Sequence, residues 1–130
     1  MVTTEADVYA KACPCRGILD RVADKWTALI IGRLEQGPLR FNELRRSIEG
    51  ISQKMLTQNL RTLERDGLVR RTVFDTAPVT VQYELTDLGA TLIEPLAGLR
   101  AWSEQHKASV VNAQQSYDRR VPTAVQSGPV

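Results

Sequence analysis

Leu56, Leu60 and Leu63 recur along the stretch GISQKMLTQNLRTLERDGLVRR, Gly50 to Arg71, at the spacing of one face of a helix. At about 100° of rotation per residue, Lys54, Thr57, Gln58, Arg61 and Arg65 fall on the opposite side, within a sector of roughly 100°. The leucine stripe accounts for docking on a core. It does not account for an outer face of cations and amides with almost no acids. Glu64 and Asp66 lie at the C-terminal end, off that column, which leaves a stripe of hydrogen-bond donors.

The same patterning orders the rest of the chain. Ile18, Leu19, Val22, Trp26, Leu29, Ile30 and Leu34 repeat at helical spacing, with a break expected near Asp24. Gly37-Pro38 stops that run. Phe41, Leu44 and Ile48 suit a short helix ended by Gly50. Ser52 is placed to cap the next helix and Gly67 to close it. Alternation predicts strands over Leu68–Phe74 and Val79–Leu85, joined by a turn at Asp75-Thr76-Ala77-Pro78. Thr86 then caps one long final helix, with Leu88, Leu92, Leu96, Leu99 and Trp102 as its stripe and Pro95 as a kink. Residues 1–12 read as a poorly ordered N-terminal arm, 13–117 as the folded domain, and 118–130 as a disordered tail.

Three helices, a hairpin and a long helix define the expected class: mainly α with a small β-hairpin wing, a winged helix-turn-helix. Two short helices joined by a tight turn can lay the second in a major groove. The donor stripe then has a purpose, because purines present acceptors there and phosphates need cations.

Charge changes this picture in one place. The 130 residues carry a formal net charge of only +2. Between Arg40 and Arg71, however, the eight cations Arg40, Arg45, Arg46, Lys54, Arg61, Arg65, Arg70 and Arg71 face four acids, Glu43, Glu49, Glu64 and Asp66. The excess sits in the region that the pattern marks for reading, so double-stranded DNA is the expected partner. With 42% hydrophobic and 25% charged residues, the chain suits a single domain with a modest core. No apolar run of about 18 residues offers a membrane span. The N-terminus lacks the apolar block of a signal peptide, so the expected location is cytoplasmic.

At this point the residues resemble a known family. Cys13-Pro14, Lys25-Trp26, GPLRFNEL, GISQKMLTQNLRTLERDGLV and YELTDLG occur in order as in the HxlR-type winged-helix transcriptional regulators, relatives of the MarR group. The resemblance runs from Cys13 to about Trp102. It implies a homodimer, usually a repressor, with contacts from the N- and C-terminal helices. It also implies a near-palindromic operator and recognition-helix positions at Ser52, Gln53, Lys54, Thr57 and Arg61. With Gln58 from the helix face and Arg40, Arg65, Arg70 and Arg71 from the charge pattern, these make the expected DNA contacts. The wing departs from the family's Pro-Pro-Arg-Val-Glu-Tyr: here it reads Pro78-Val79-Thr80-Val81-Gln82-Tyr83, with Thr80 where an arginine would probe the minor groove.

Other chemistry is sparse. His106 is the sole histidine, dispersed glycines form no phosphate loop, and no paired carboxylates sit in a catalytic context. An enzyme, a cofactor and a metal site are therefore not expected. Trp26 and Trp102 read as core or dimer-interface aromatics. Glu43 with Arg45 or Arg46 reads as a surface pair.

Cys13 and Cys15 admit two readings. As structural residues they are small, partly buried thiols. As sensors of oxidants, quinones or other electrophiles, a role the resemblance implies for Cys13, they gain from a helix N-terminus and from Lys11 and Arg16 nearby. Both are expected as thiols in a cytosol. On oxidation Cys13 is expected to react first, giving a bond between subunits or an adduct, because the proline between the two makes a Cys13–Cys15 bridge look strained.

Two alternatives to a redox-responsive regulator stand beside this reading. One is a winged-helix module that docks protein, which should expose large apolar residues on the helix where only Met55 qualifies. The other is a regulator with a non-covalent small-molecule effector and purely structural cysteines.

Overall fold

The computed structural model describes residues 5–120. The order is α1 (Pro14–Val22), α2 (Lys25–Leu34), β1 (Leu39–Arg40), α3 (Phe41–Ser47), α4 (Gln53–Arg65), β2 (Val69–Phe74), β3 (Thr80–Leu85), α5 (Asp87–Ala90), α6 (Ile93–Gln105) and α7 (Lys107–Arg120). The described residues fall into two compact units, one ending at Ala97 and the other beginning at Gly98.

The core of the first unit is built from the residues that the periodicity marks. Ile30 and Leu34 of α2, Leu44 of α3 and Leu56, Leu60 and Leu63 of α4 are buried together with Leu68, Val69 and Tyr83 of the sheet region. Ile48 and Ile51 bury the turn between α3 and α4, so the helix-turn-helix is held by apolar contacts as well as by its caps.

Local chemistry sets the ends of α4. Ser52 Oγ accepts from Met55 N at 3.1 Å, satisfying one of the free amides of the first turn. Gly67, at φ +79°, takes the left-handed conformation, and Leu68 N donates back to Leu63 O at 2.9 Å. The Thr86-Asp87-Leu88-Gly89 stretch then locks the hairpin to that end. Thr86 Oγ1 donates to Gly67 O at 2.6 Å and accepts from Gly89 N at 3.0 Å. Gly89 is buried against the Leu68 carbonyl, where a Cβ would collide with backbone.

The sheet has three antiparallel strands in the order β1-β3-β2 rather than the two expected. Leu39 pairs with Tyr83 and Arg40 with Gln82, so β1 extends the hairpin into a small sheet. Two residues are too few to show an alternation, and their partner lies far along the chain.

The single final helix is a correction. It is divided into α5, α6 and α7, and Pro95 stands in the first turn of α6 instead of kinking a continuous helix. A proline ring has no N–H and clashes with the carbonyl four residues back, here Thr91, which is where the break falls. The expected stripe is broken with it. Leu96 is buried and Leu92 half-buried, whereas Leu88, Leu99 and Trp102 are exposed.

The expected boundaries also move. α1 begins at Pro14, and Asp24 caps α2 by accepting from Trp26 N at 2.9 Å, at the expected break. Within the expected arm, Ala10 N donates to Asp7 O and Tyr9 N to Asp7 Oδ1, both at 3.0 Å, so this stretch is turned. Asp118 to Arg120 are helical where the tail was expected to start. The rest of that tail and residues 1–4 lie outside the described residues.

Candidate nucleic-acid interface

α4 presents two surfaces beside its buried leucines. Lys54, Thr57, Gln58 and Arg61, with Gln53, line a shallow outer depression of about 500 Å³. Gln53, Thr57, Arg61 and Glu64 also line a groove of about 500 Å³ whose far side is Arg71, Val81 and Tyr83, with Phe41 at the side. Gln53, Thr57 and Arg61 thus belong to both. Lys54, Gln58, Arg61 and Arg65 are exposed and Thr57 is half-buried. Arg65, the last residue of α4, lines neither depression.

Side chains elsewhere on the helix turn back on their own backbone. Asn59 Nδ2 donates to Met55 O at 2.9 Å and Thr62 Oγ1 to Gln58 O at 3.1 Å. The Ser52 hydroxyl oxygen serves the cap, so any contact it makes to DNA shares that atom.

The wing arginines are split by the pleat. Successive residues of a strand point to opposite faces. Arg71, opposite Tyr83, lines the groove beside Arg61. Arg70, opposite Glu84, places Nη1 3.5 Å from Glu84 Oε2. The two are not equivalent, although their adjacency in the sequence suggests it. Thr80, where the family pattern has arginine, pairs with Phe74 at the end of the hairpin and is half-buried. Around it the end of the hairpin carries exposed Val73, Phe74 and Val79, with Asp75 and a cis Ala77–Pro78 bond in the turn.

Arg40 ends β1, exposed, at the start of α3. Its backbone N donates to Glu43 Oε1 at 2.8 Å, which gives Glu43 a capping role in place of the expected surface pairing with Arg45 or Arg46. Trp26 packs beside the core, with the Lys25 ammonium 4.5 Å from its ring centroid. Trp102 is exposed and stacks on His106, ring centroids 4.7 Å apart.

Cys13 and Cys15 are joined as a disulfide, with Cα atoms 5.3 Å apart. In this structure the two are thus paired within the chain rather than held as the expected thiols. Cys13 is the N-cap of α1 and Pro14 its first residue, so proline's fixed φ is the value the first helical turn requires. The cap folds Sγ of Cys13 over the helix start, where it accepts from Cys15 N at 3.3 Å and from Asp7 N at 3.4 Å.

Sequence reading overlooked one pair that is distant along the chain. Arg21 Nε donates to Asp66 Oδ2 at 2.6 Å and Nη2 to Oδ1 at 3.2 Å. That hydrogen bond, more than the carboxylate charges nearby, raises the Arg21 pKa above its ordinary value. The signal available was an acid at the C-terminal end of a helix, where it opposes the helix dipole.

A helix-turn-helix followed by a sheet-borne wing, with donors along the second helix, defines a DNA-binding winged helix-turn-helix protein. The chain belongs to the HxlR-like helix-turn-helix family, whose model matches residues 21–110. It is 40% identical over 107 residues to the uncharacterized HTH-type transcriptional regulator YtfH of Escherichia coli, covering 82% of this chain and 85% of that one. The structure of YtfH from Salmonella typhimurium is 37% identical and superposes with a TM-score of 0.80 over 85% of this chain and 99% of that one. The redox regulator HypR in its oxidized form is 40% identical, with a TM-score of 0.66 over 72% of this chain and 96% of that one. The family is one of HTH-type transcriptional regulators, structurally related to MarR-family proteins, and not of enzymes. No helix among the described residues is long and apolar enough to cross a membrane.

Proposed function

We propose that the protein is a homodimeric cytoplasmic repressor that reads a near-palindromic operator with α4 and responds to oxidants through Cys13 and Cys15. The observation that carries the DNA reading is the outer face of α4: Lys54, Gln58 and Arg61 stand exposed beside Thr57, with no acid among them. Arg61 and Gln58 suit the acceptors of guanine and adenine edges, while Arg40, Arg65 and Arg71 suit phosphates. Ser52, Gln53 and Arg70 complete the proposed contact set.

Dimerisation is supported by helices that a single chain leaves bare. α1 and α7 bury no residue of their own. Ile18 and Leu19 of α1, Leu99 and Trp102 of α6, and Val110, Val111 and Tyr117 of α7 are exposed. Helices this short draw most of their stability from covering an apolar face, which a second copy would provide.

Redox response is supported by the proximity of the two sulfurs and by the kinship with HypR, itself a redox regulator. Forming the bond removes two electrons and two protons from the thiols, and an oxidant such as diamide takes both. The joined pair lies at the start of α1, so a change there alters one of the helices proposed for the dimer contact.

The test is selection of bound duplexes from a random-sequence pool, with sedimentation of the free protein. The expected result is a dimer and a near-palindrome whose half-sites lie one turn, roughly 34 Å, apart. A monomer at micromolar concentration with no enriched sequence would contradict the reading. Operator affinity of wild type, Cys13→Ser and Cys15→Ser, each in reductant and in diamide, tests the sensor. Only wild type should change between the two conditions; an unchanged wild type would leave both cysteines structural.

A further inference from the structure

Asp66, the C-cap of α4, is a carboxylate at the end of a helix whose free carbonyls already carry partial negative charge. On a bare helix end it would be unfavourable. Arg21 compensates with a two-pronged bond, Nε to Oδ2 at 2.6 Å and Nη2 to Oδ1 at 3.2 Å, reaching from α1 across 45 positions of sequence. The Asp66 side chain is only 13% exposed, so the contact is more sheltered than an ordinary surface pair.

Arg21 is fixed at its other end as well. Its carbonyl accepts from Thr27 Oγ1 at 3.1 Å, and Thr27 is a buried polar residue of α2. The guanidinium is therefore presented from a backbone held against α2, while α1 buries no side chain of its own. A planar guanidinium on both carboxylate oxygens fixes direction as well as distance.

We propose that Arg21 is a positioning residue for DNA recognition, acting through Asp66 on the C-terminal end of α4. The leucines of α4 decide which face turns inward, and the Arg21–Asp66 bond sets the tilt of the helix on that core. α4 spans 13 residues, about 20 Å, so a tilt of about 5° about one end moves the other by nearly 2 Å. A shift of that size takes a base contact out of hydrogen-bond range. The same bond ties α1, which begins at the Cys13–Cys15 pair, to the reading helix. This inference rests on the proposed role of α4 as the reader.

Charge makes the test selective. Arg21→Gln removes a positive charge and Asp66→Asn removes a negative one, so a purely long-range electrostatic role would move DNA affinity in opposite directions. A positioning role lowers the preference for operator over random DNA in both variants. The measurement is the ratio of operator to random-duplex affinity for folded wild type, Arg21→Gln, Asp66→Asn, the double variant and Arg21→Lys, with folding verified by circular dichroism.

The expected result is a loss of about fivefold to tenfold in that ratio for each single variant, with the double variant no worse than the poorer single, as for residues acting as one unit. Arg21→Lys, which keeps the charge but not the fork, should fall between. Opposite shifts, or ratios equal to wild type in folded variants, overturn the proposal. If Arg21→Gln does not fold, Asp66→Asn and Arg21→Lys decide by the same criterion. Arg61→Ala is the control: if it binds as wild type does, the reading of α4 falls and this proposal with it. If Arg61→Ala loses preference while Arg21→Gln keeps it, only this proposal falls.

Discussion

α4 and the wing both carry arginines, yet the two are built differently. On α4 the cations and amides stand on an outer face over a row of buried leucines, and its one acid, Glu64, lies in the groove toward the wing. On the wing, Arg70 faces Glu84, Arg71 turns toward α4, and the tip has an acid and three exposed apolar side chains in place of cations. A local charge excess is therefore not a contact map: the pleat and the cross-strand partners decide which cations remain available. On the proposed reading, sequence discrimination belongs to α4, with Arg71 as a phosphate contact between helix and wing.

The largest expected effect comes from undoing the support of α4. Leu60 is almost fully buried at the centre of the leucine stripe. Leu60→Ala should lower unfolding stability by about 2–5 kcal/mol, read by denaturant titration, with DNA binding lost as the fold is lost. A smaller effect separates the wing arginines. Arg71→Ala should weaken operator and random DNA alike and reduce the salt slope of binding by about one. Arg70→Ala should do less, because Glu84 already engages that guanidinium. Equal losses from the two would erase the difference that the strand faces impose. The smallest effect tests the tip. Thr80→Arg should give a modest gain in affinity that disappears at high salt, measured as a salt titration against wild type.

The helix-turn-helix was legible in the sequence because its determinants are local. The leucine spacing, Ser52 at one end and Gly67 at the other specify α4 without reference to the rest of the chain. The hairpin was legible for the same reason. Where a partner lies far away, local signals fail. Leu39-Arg40 becomes a strand only because Tyr83 and Gln82 pair with it. Asp66 reads as an acid off the donor column until Arg21, 45 positions earlier, is found on it. Pro95 was visible but misread, since a proline in the first turn of a helix starts it, and the Thr91 carbonyl marks where the preceding helix must stop. Pro14, weighed as an obstacle to a Cys13–Cys15 bridge, stands at the first position of α1, where its backbone is already suited to the turn.

Base reading by α4, as proposed, is tested most directly by the affinity of Arg61→Ala for the selected operator and for a scrambled duplex at moderate salt. The expected result is a loss of about 1–3 kcal/mol on the operator, with relaxed discrimination at one base position of each half-site and a much smaller change on the scrambled duplex. Equal losses on both duplexes would make Arg61 a phosphate contact, and no loss on either would contradict the placement of α4 in the groove.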